Sequence, residues 1–167
     1  MPPTLKLPRQ VEADPRCESI VELLARNQQP LWEKGTLTVP HLTFLPSLEN
    51  ALKFSFGTKQ LERGLEHIDV ILNAEQKGQM AVREQKNAAP AYRVSRLLVI
   101  PDECTERFYR TCEATLFHHA ERVLGIRVNV PYTTFAQSFL GPEAHVKVLL
   151  VSERAAVANV LFSLVSP

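Results

Sequence analysis

Two separated segments of the chain, residues 56–64 and 130–141, carry side chains suited to binding anions and bases. The candidate residues of the first segment are Gly57, Thr58, Lys59, Gln60 and Arg63. Those of the second segment are Pro131, Tyr132, Thr133 and Thr134. Ammonium, guanidinium and amide groups donate hydrogen bonds to phosphate, and a tyrosine ring can stack on an unpaired base. Residues of these types predict a binding site rather than a centre for covalent chemistry.

The spacing of apolar residues predicts how the first segment is held. Apolar and polar residues alternate over 52–56, which predicts a half-buried strand that ends at the following glycine. Apolar residues then recur at helical spacing over 61–72, so we expect a helix with Thr58 as its N-cap. Lys59 and Arg63 would lie one turn apart, beside free backbone N–H groups at the helix start. The alternative is that they are ordinary charged residues on the exposed face of an amphipathic helix.

The second segment has the pattern of a strand end, a loop and a short helix. Residues 126–130 alternate as a strand would, a proline follows, and Gly141 ends the segment. Both segments are therefore expected at strand ends, where layered α/β domains bind ligands. Phe135 and Phe139 are four residues apart, and we assign them to the core. For Tyr132, base stacking and hinge packing both remain open.

The remaining segments alternate between strand and helix patterns. Helices are predicted over 17–28, 108–123 and 153–165, strands over 96–100 and 146–151, and edge strands or an ordered loop over 31–47. Within the last helix, residues 160–162 also fit a strand. The run over 96–100 is continuously apolar, as in strands buried on both faces of a parallel sheet. This alternation predicts an α/β fold, a three-layer α/β/α sandwich with a mixed central sheet of about four strands.

The domain organisation follows from length and composition. The 167 residues suit one α/β/α domain over 17–167, preceded by an extended proline-rich arm over 1–16 that orders only against a partner. Residues 73–95 lack an apolar stripe and are predicted to be a basic insertion, either a helix extension ending in a loop or a basic flap. The candidate cations of this flap are Lys77, Arg83, Lys86, Arg93 and Arg96.

Composition limits the classes of function. With 45% hydrophobic and 22% charged residues, neither a disordered chain nor a membrane protein fits, and the longest apolar stretch, 157–165, is too short to span a bilayer. A net charge of +1 argues against a uniformly basic nucleic-acid binder but allows a local patch. Cys17, Cys104 and Cys112 are odd in number and have no metal-binding spacing. Without a signal-peptide pattern, we expect an intracellular protein, nuclear, nucleolar or cytoplasmic, and not secreted.

Other polar residues give weaker indications of chemistry. His118 and His119 lie between Glu113 and Glu121, which suggests a metal or general-base site. The helical pattern over 108–123, however, turns His119 to the apolar side and His118 to solvent, so we favour a core or boundary histidine.

Asp102 and Glu103 follow a strand, where catalytic acids often lie, but they also suit the first turn of the next helix. We favour this capping role. The sequence has no nucleophile elbow, no P-loop and no glycine-rich dinucleotide motif after a strand. The prediction is therefore a protein without catalytic residues, metal site or small-molecule cofactor.

Residues 52–151 resemble the kink-turn RNA-binding family, which includes an archaeal ribosomal protein, core proteins of box C/D and spliceosomal ribonucleoproteins, and an RNase P/MRP subunit. In that family a glycine, a small residue, Asn and Glu open a helix, and a Lys follows three positions after the Glu. The residues that occupy these positions here are Gly57, Thr58, Lys59, Gln60 and Arg63. Val130-Pro131 and Gly141 match the family's strand end and short-helix end, while Ala136-Gln137 replaces its usual Leu-Gly.

The resemblance implies a non-catalytic subunit of a ribonucleoprotein that binds structured RNA and other protein subunits, with no membrane contact. Because Lys59 and Gln60 replace the Asn-Glu pair, it also implies an altered RNA specificity. The alternative is a protein-interaction scaffold with the same fold. A third hypothesis is an enzyme domain that binds a small molecule at the strand ends.

Overall fold

The computed structural model describes residues 6–86 and 93–166. Within these residues the helices are α1 (Arg9–Glu12), α2 (Cys17–Arg26), α3 (Pro46–Gly57), α4 (Leu65–Lys86), α5 (Glu106–His118), α6 (Gln137–Leu140) and α7 (Arg154–Ser163). The strands are β1 (Gln28–Pro30), β2 (Thr38–Leu42), β3 (Leu61–Arg63), β4 (Arg96–Asp102), β5 (Val123–Pro131) and β6 (Leu149–Val151). The predicted mixed α/β fold is confirmed.

The strands form one mixed sheet in the order β1-β2-β5-β4-β6-β3. β5 is parallel to β2 and β4, whereas β6 is antiparallel to β4 and β3. As a result β2, β3, β4 and β5 all end at one edge, which we call the C-terminal edge. The sheet described here has six strands, whereas the sequence predicted about four. The strands β1, β2 and β3 gave no clear pattern, because they are short and contain proline or charged residues.

Buried residues on the two faces of the sheet form two apolar clusters. Leu97 and Val99 of β4 pack with α2, α3 and α7, while Leu98 and Ile100 pack with α4 and α5. Side chains of successive strand residues point to opposite faces, so a strand covered on both sides needs an unbroken apolar run. This is why residues 96–100 were recognisable from sequence, and it produces the predicted layers.

The predicted strand over 52–56 is wrong, because these residues belong to α3. Pro46 occupies the first turn of this helix, and its buried residues recur at three- and four-residue spacing: Leu48, Ala51, Leu52 and Ser55. Phe54 and Phe56, which imitated a strand's inner face, are 63% and 42% exposed.

The predicted helix start at Thr58 is also wrong. The Thr58 hydroxyl donates to the Phe54 carbonyl oxygen (3.2 Å) and thereby caps the end of α3 instead. A turn follows, in which Lys59 has φ 60° and the Gln60 N–H donates to the Ser55 carbonyl oxygen (2.8 Å). The next helix, α4, begins only at Leu65 after β3.

The predicted extended arm is wrong over residues 6–16, whereas residues 1–5 lie outside the described part of the chain. Residues 9–12 form α1, and Leu7 and Val11 are buried in the core. The Val94 N–H donates to the Lys6 carbonyl oxygen (2.8 Å), which fixes the segment to the chain before β4. The apolar residues of this segment are too few to form a recognisable helical pattern, but Leu7 and Val11 still pack into the core.

The insertion predicted at 73–95 begins as a continuation of α4, which runs unbroken to Lys86. This is the helix-extension alternative, and residues 87–92 lie outside the described ranges. Among the described residues, no helix has the length and apolar character needed to cross a membrane.

A candidate anion-binding cleft at the edge of the sheet

The C-terminal edge of the sheet contains an open cleft of about 720 Å³. The end of β3, the start of α4, helix α5 and residues 144–148 enclose it. The polar and aromatic side chains that line it are Arg63, Glu66, Phe108, Thr111, His145 and Lys147. We call this the edge cleft.

The connection from β3 to α4 positions one wall of the edge cleft. Gly64 has φ 86°, a left-handed conformation that favours glycine and turns the chain sharply from strand to helix. The first amide of α4 that bonds to Gly64 is that of Ile68 (2.9 Å), so the preceding N–H groups have no partner within the helix. They give this end of α4 a partial positive charge.

Tyr132 lies beside the cleft, at the start of the loop after β5. Its backbone N–H donates to the Asp102 carbonyl oxygen (3.0 Å), which ties the loop to the end of β4. Lys147 Nζ lies 5.3 Å from the centre of the tyrosine ring, and the His145 ring contacts it edge-on with centroids 6.1 Å apart. The edge therefore combines an aromatic face with basic groups.

The loop and short helix after Tyr132 form as predicted. The Phe135 N–H donates to the Pro131 carbonyl oxygen (3.0 Å), α6 follows, and Gly141 ends it with φ 100°. Phe135 is buried against Phe44, and Phe139 is half-buried against Phe56. Both phenylalanines therefore have the packing role assigned to them. Thr133 is half-buried and Thr134 is exposed.

Asp102 and Glu103 do not cap α5, which corrects the sequence interpretation. Thr105 is the N-cap, and its side chain accepts from the Phe108 N–H at 3.2 Å. Asp102 instead forms an ion pair with Arg127 (2.7 Å).

Arg127 also stacks over the Tyr109 ring, 4.4 Å from its centre. The Tyr109 hydroxyl donates to the Pro101 carbonyl oxygen (2.9 Å), and burial raises the pKa of this phenol to about 12. These groups hold the end of β4 in place, and burial likewise raises the pKa of the neighbouring Cys104 thiol.

The structure brings only the end of the first predicted segment, Arg63, to the site that Tyr132 borders. The Gln60 carbonyl oxygen accepts from the Ser152 N–H (3.0 Å), and the paired residues show that Gln60 lies level with the start of β4. Pro131 lies level with Asp102, the last residue of β4. Six residues of strand correspond to about 20 Å, so Lys59 and Gln60 lie near the opposite edge from Tyr132. Of the first segment's candidates, Arg63 lines the edge cleft, while Gly57 and Thr58 end α3.

Two of the basic residues predicted for the flap, Arg93 and Arg96, form ion pairs with carboxylates, and the flap itself stays a prediction. Arg96 forms an ion pair with Glu75 (2.6 Å), and Arg93 forms one with Glu12 (2.7 Å). Lys77 is exposed and Arg83 is half-buried on α4, which ends at Lys86.

Sequence reasoning missed Glu66, His145 and Lys147. A signal for the last two was present, because the buried residues Val146 and Val148 alternate with them just before β6. Alternation predicts that every second side chain faces outward. The pattern does not predict which residues lie next to each outward-facing side chain.

His119 is buried and His118 is exposed, as the helical pattern predicted. In the part of the chain that the structure describes, no three His, Cys, Asp or Glu residues are arranged to hold a metal ion. Comparison with models of known protein families finds no match, and comparison with curated proteins finds no relative.

Proposed function

We propose that this protein binds structured RNA as a non-catalytic subunit of a ribonucleoprotein, and that the edge cleft is its RNA-contacting surface. The observation that carries the proposal is the placing of Arg63, Lys147 and the start of α4 around one cleft that Tyr132 borders. Cations and helix N–H groups suit phosphate, and a partly exposed aromatic ring such as that of Tyr132 suits an unpaired base. Phosphate contacts and base stacking together are the usual elements of RNA recognition.

The order of strand, glycine and helix also supports the proposal, although it occurs seven residues later in the chain than predicted from the sequence. A strand, a glycine and a helix are present, but the glycine is Gly64, not Gly57. After it, Leu65, Glu66 and His67 stand where the kink-turn family has a small residue, Asn and Glu, and Val70 stands in place of the family's Lys. The family's base-reading residues are therefore replaced, and we expect an RNA target other than an ordinary kink-turn.

Binding of RNA fragments at two salt concentrations tests the proposal. Lys147→Ala and Arg63→Ala should each weaken binding and flatten its salt dependence by roughly one unit, because each removes about one phosphate contact. Lys53→Ala, an exposed lysine on α3, is the matched control and should leave the salt slope unchanged. Equal effects in all three variants would point to nonspecific attraction and overturn the assignment of the edge cleft.

A second candidate function is a protein-interaction scaffold. It is favoured by Phe54 and Val70, large apolar side chains that are 63% and 67% exposed in the described structure. A contiguous apolar patch marks a protein contact, so this alternative requires these side chains to belong to one. Under this alternative Phe54→Ser should release a partner subunit without changing RNA binding, as pull-down and RNA titration of the same variant would show.

A further inference from the structure

A second, smaller polar cleft lies between the later part of α4 and the end of α5. Its volume is about 240 Å³. Among its lining residues are Gln76, Gln79, Arg83, His118, His119 and Arg122. About 21 Å of helix separates Gln79 from the start of α4, so this α4–α5 cleft is distinct from the edge cleft.

Two arginine side chains lie close to one carboxylate beside the α4–α5 cleft, and Asp69 is a second carboxylate near His119. Arg122 is 5% exposed, and its Nη1 lies 3.3 Å from a Glu75 oxygen. The same carboxylate holds Arg96 at 2.6 Å. Two guanidinium groups therefore share one carboxylate. Glu121 also lines the cleft, but it is exposed, so solvent screens its charge more effectively than that of a buried group.

His119 adds one buried polar atom that lacks a hydrogen-bond partner among the described residues. The residue is 4% exposed, and this atom is its Nδ1. The His118 ring contacts it edge-on, with centroids 4.6 Å apart. Burial lowers the pKa of His119, and the charges of His118 and Arg122 lower it further, while Asp69 and Glu75 oppose this shift. A bound anion would raise the pKa of His119, because its negative charge opposes the effect of the nearby positive charges.

We propose that the α4–α5 cleft binds a phosphate-type oxyanion. A buried guanidinium group needs a negative partner. Here Arg122 shares its partner, Glu75, with Arg96, so a bound anion would add negative charge where it is needed. The cleft supplies amide donors from Gln76 and Gln79 and imidazole donors from the histidines, which match the oxygens of a small anion. The site does not depend on the RNA-binding function proposed for the edge cleft.

Titration of the isotope-labelled full chain with inorganic phosphate, at ionic strength held constant with chloride, tests this site. The imidazole signals of His118 and His119 should shift saturably with phosphate, and the pKa of His119 should rise when the anion is bound. Gln79→Leu should weaken phosphate binding at least about tenfold. Gln79 is exposed, so this variant should fold, and Gln10→Leu on α1 is the matched control.

Two outcomes would overturn the proposal. One is the absence of a saturable phosphate response at the histidines of the folded protein. The other is a response that Lys147→Ala abolishes and Gln79→Leu does not, because the anion would then occupy the edge cleft. A short RNA that shifts the histidine signals when phosphate does not is one case of the first outcome. If the unmodified protein binds phosphate at the histidines but binds no RNA, only the function proposed for the edge cleft is rejected.

Discussion

The edge cleft and the α4–α5 cleft are both basic, but their charges have different environments. Arg63 and Lys147 of the edge cleft are exposed, whereas Arg122 of the α4–α5 cleft is almost fully buried and bonded to Glu75 and to the Leu72 carbonyl oxygen. An exposed cation exchanges water for a ligand at little cost to the fold. A buried cation is part of the fold, because losing its partners leaves polar groups unsatisfied. An arginine can therefore serve binding alone in the edge cleft, and both stability and binding in the α4–α5 cleft.

The largest effect is expected in the strand that separates the two apolar clusters. Leu98→Ala should lower the free energy of unfolding by about 2–4 kcal/mol, because it opens a cavity in the centre of a sheet covered on both faces. His118→Ala, at an exposed position on α5, is the comparison and should cost little. Urea unfolding of both variants measures the difference. A Leu98→Ala variant as stable as the unmodified protein would contradict the assignment of β4 as a buried strand.

A smaller loss of stability should separate the arginines of the two clefts. Arg122→Leu should destabilise the protein by about 1–3 kcal/mol, since it removes an ion pair and a hydrogen bond from a buried position. Arg63→Leu should change stability by less than about 0.5 kcal/mol, because Arg63 is exposed. Thermal and urea unfolding of the two variants tests this contrast. Equal losses would remove the distinction between the clefts.

The pH dependence of stability should reflect two histidines whose pKa values are lowered, His41 and His119. Burial is the main cause for both, and their ordinary value is 6.5. As the pH falls below that value, the unfolded chain binds protons that the folded protein resists, so stability is present above it and declines toward their lowered pKa values.

Urea unfolding at about pH 7.5 and about pH 5 measures this decline. His119→Gln should make the decline shallower, because it removes one of the two histidines whose pKa is lowered. A decline that is the same with and without His119 would show that this residue does not contribute to it.

The smallest effect expected is a coupling energy within the edge cleft. Tyr132→Ala and Lys147→Ala should each lower RNA affinity, and their interaction energy should reach roughly 0.5 kcal/mol because the two groups are in contact. Tyr132→Ala and Lys59→Ala should be additive, since about 20 Å of sheet separates their positions. Double-mutant cycles on cooperatively melting protein compare the pairs. Coupling of Lys59 with Tyr132 would restore the single site that the sequence predicted.

The contrast between segments 56–64 and 130–141 shows where sequence patterns are sufficient. The second segment was predicted correctly because its alternating residues, its proline and its final glycine all agree on one local structure. In the first, residues 52–56 satisfied a two-residue period by chance, while Leu48, Ala51, Leu52 and Ser55 formed the longer period of α3. A five-residue window does not separate the two periods, and this error placed the expected first helical residue at Lys59, six residues before Leu65.

The sequence by itself determined the layers of this protein and most of its elements. Apolar runs and helical stripes record burial, and burial is what fixes a strand such as β4 between helices such as α4 and α7. Only the tertiary structure decided which polar residues meet. Lys147 lies beside Tyr132, and Lys59 lies at the far edge, because strand order and pairing register join residues distant along the chain. That information is carried by contacts between segments, and no local period contains it.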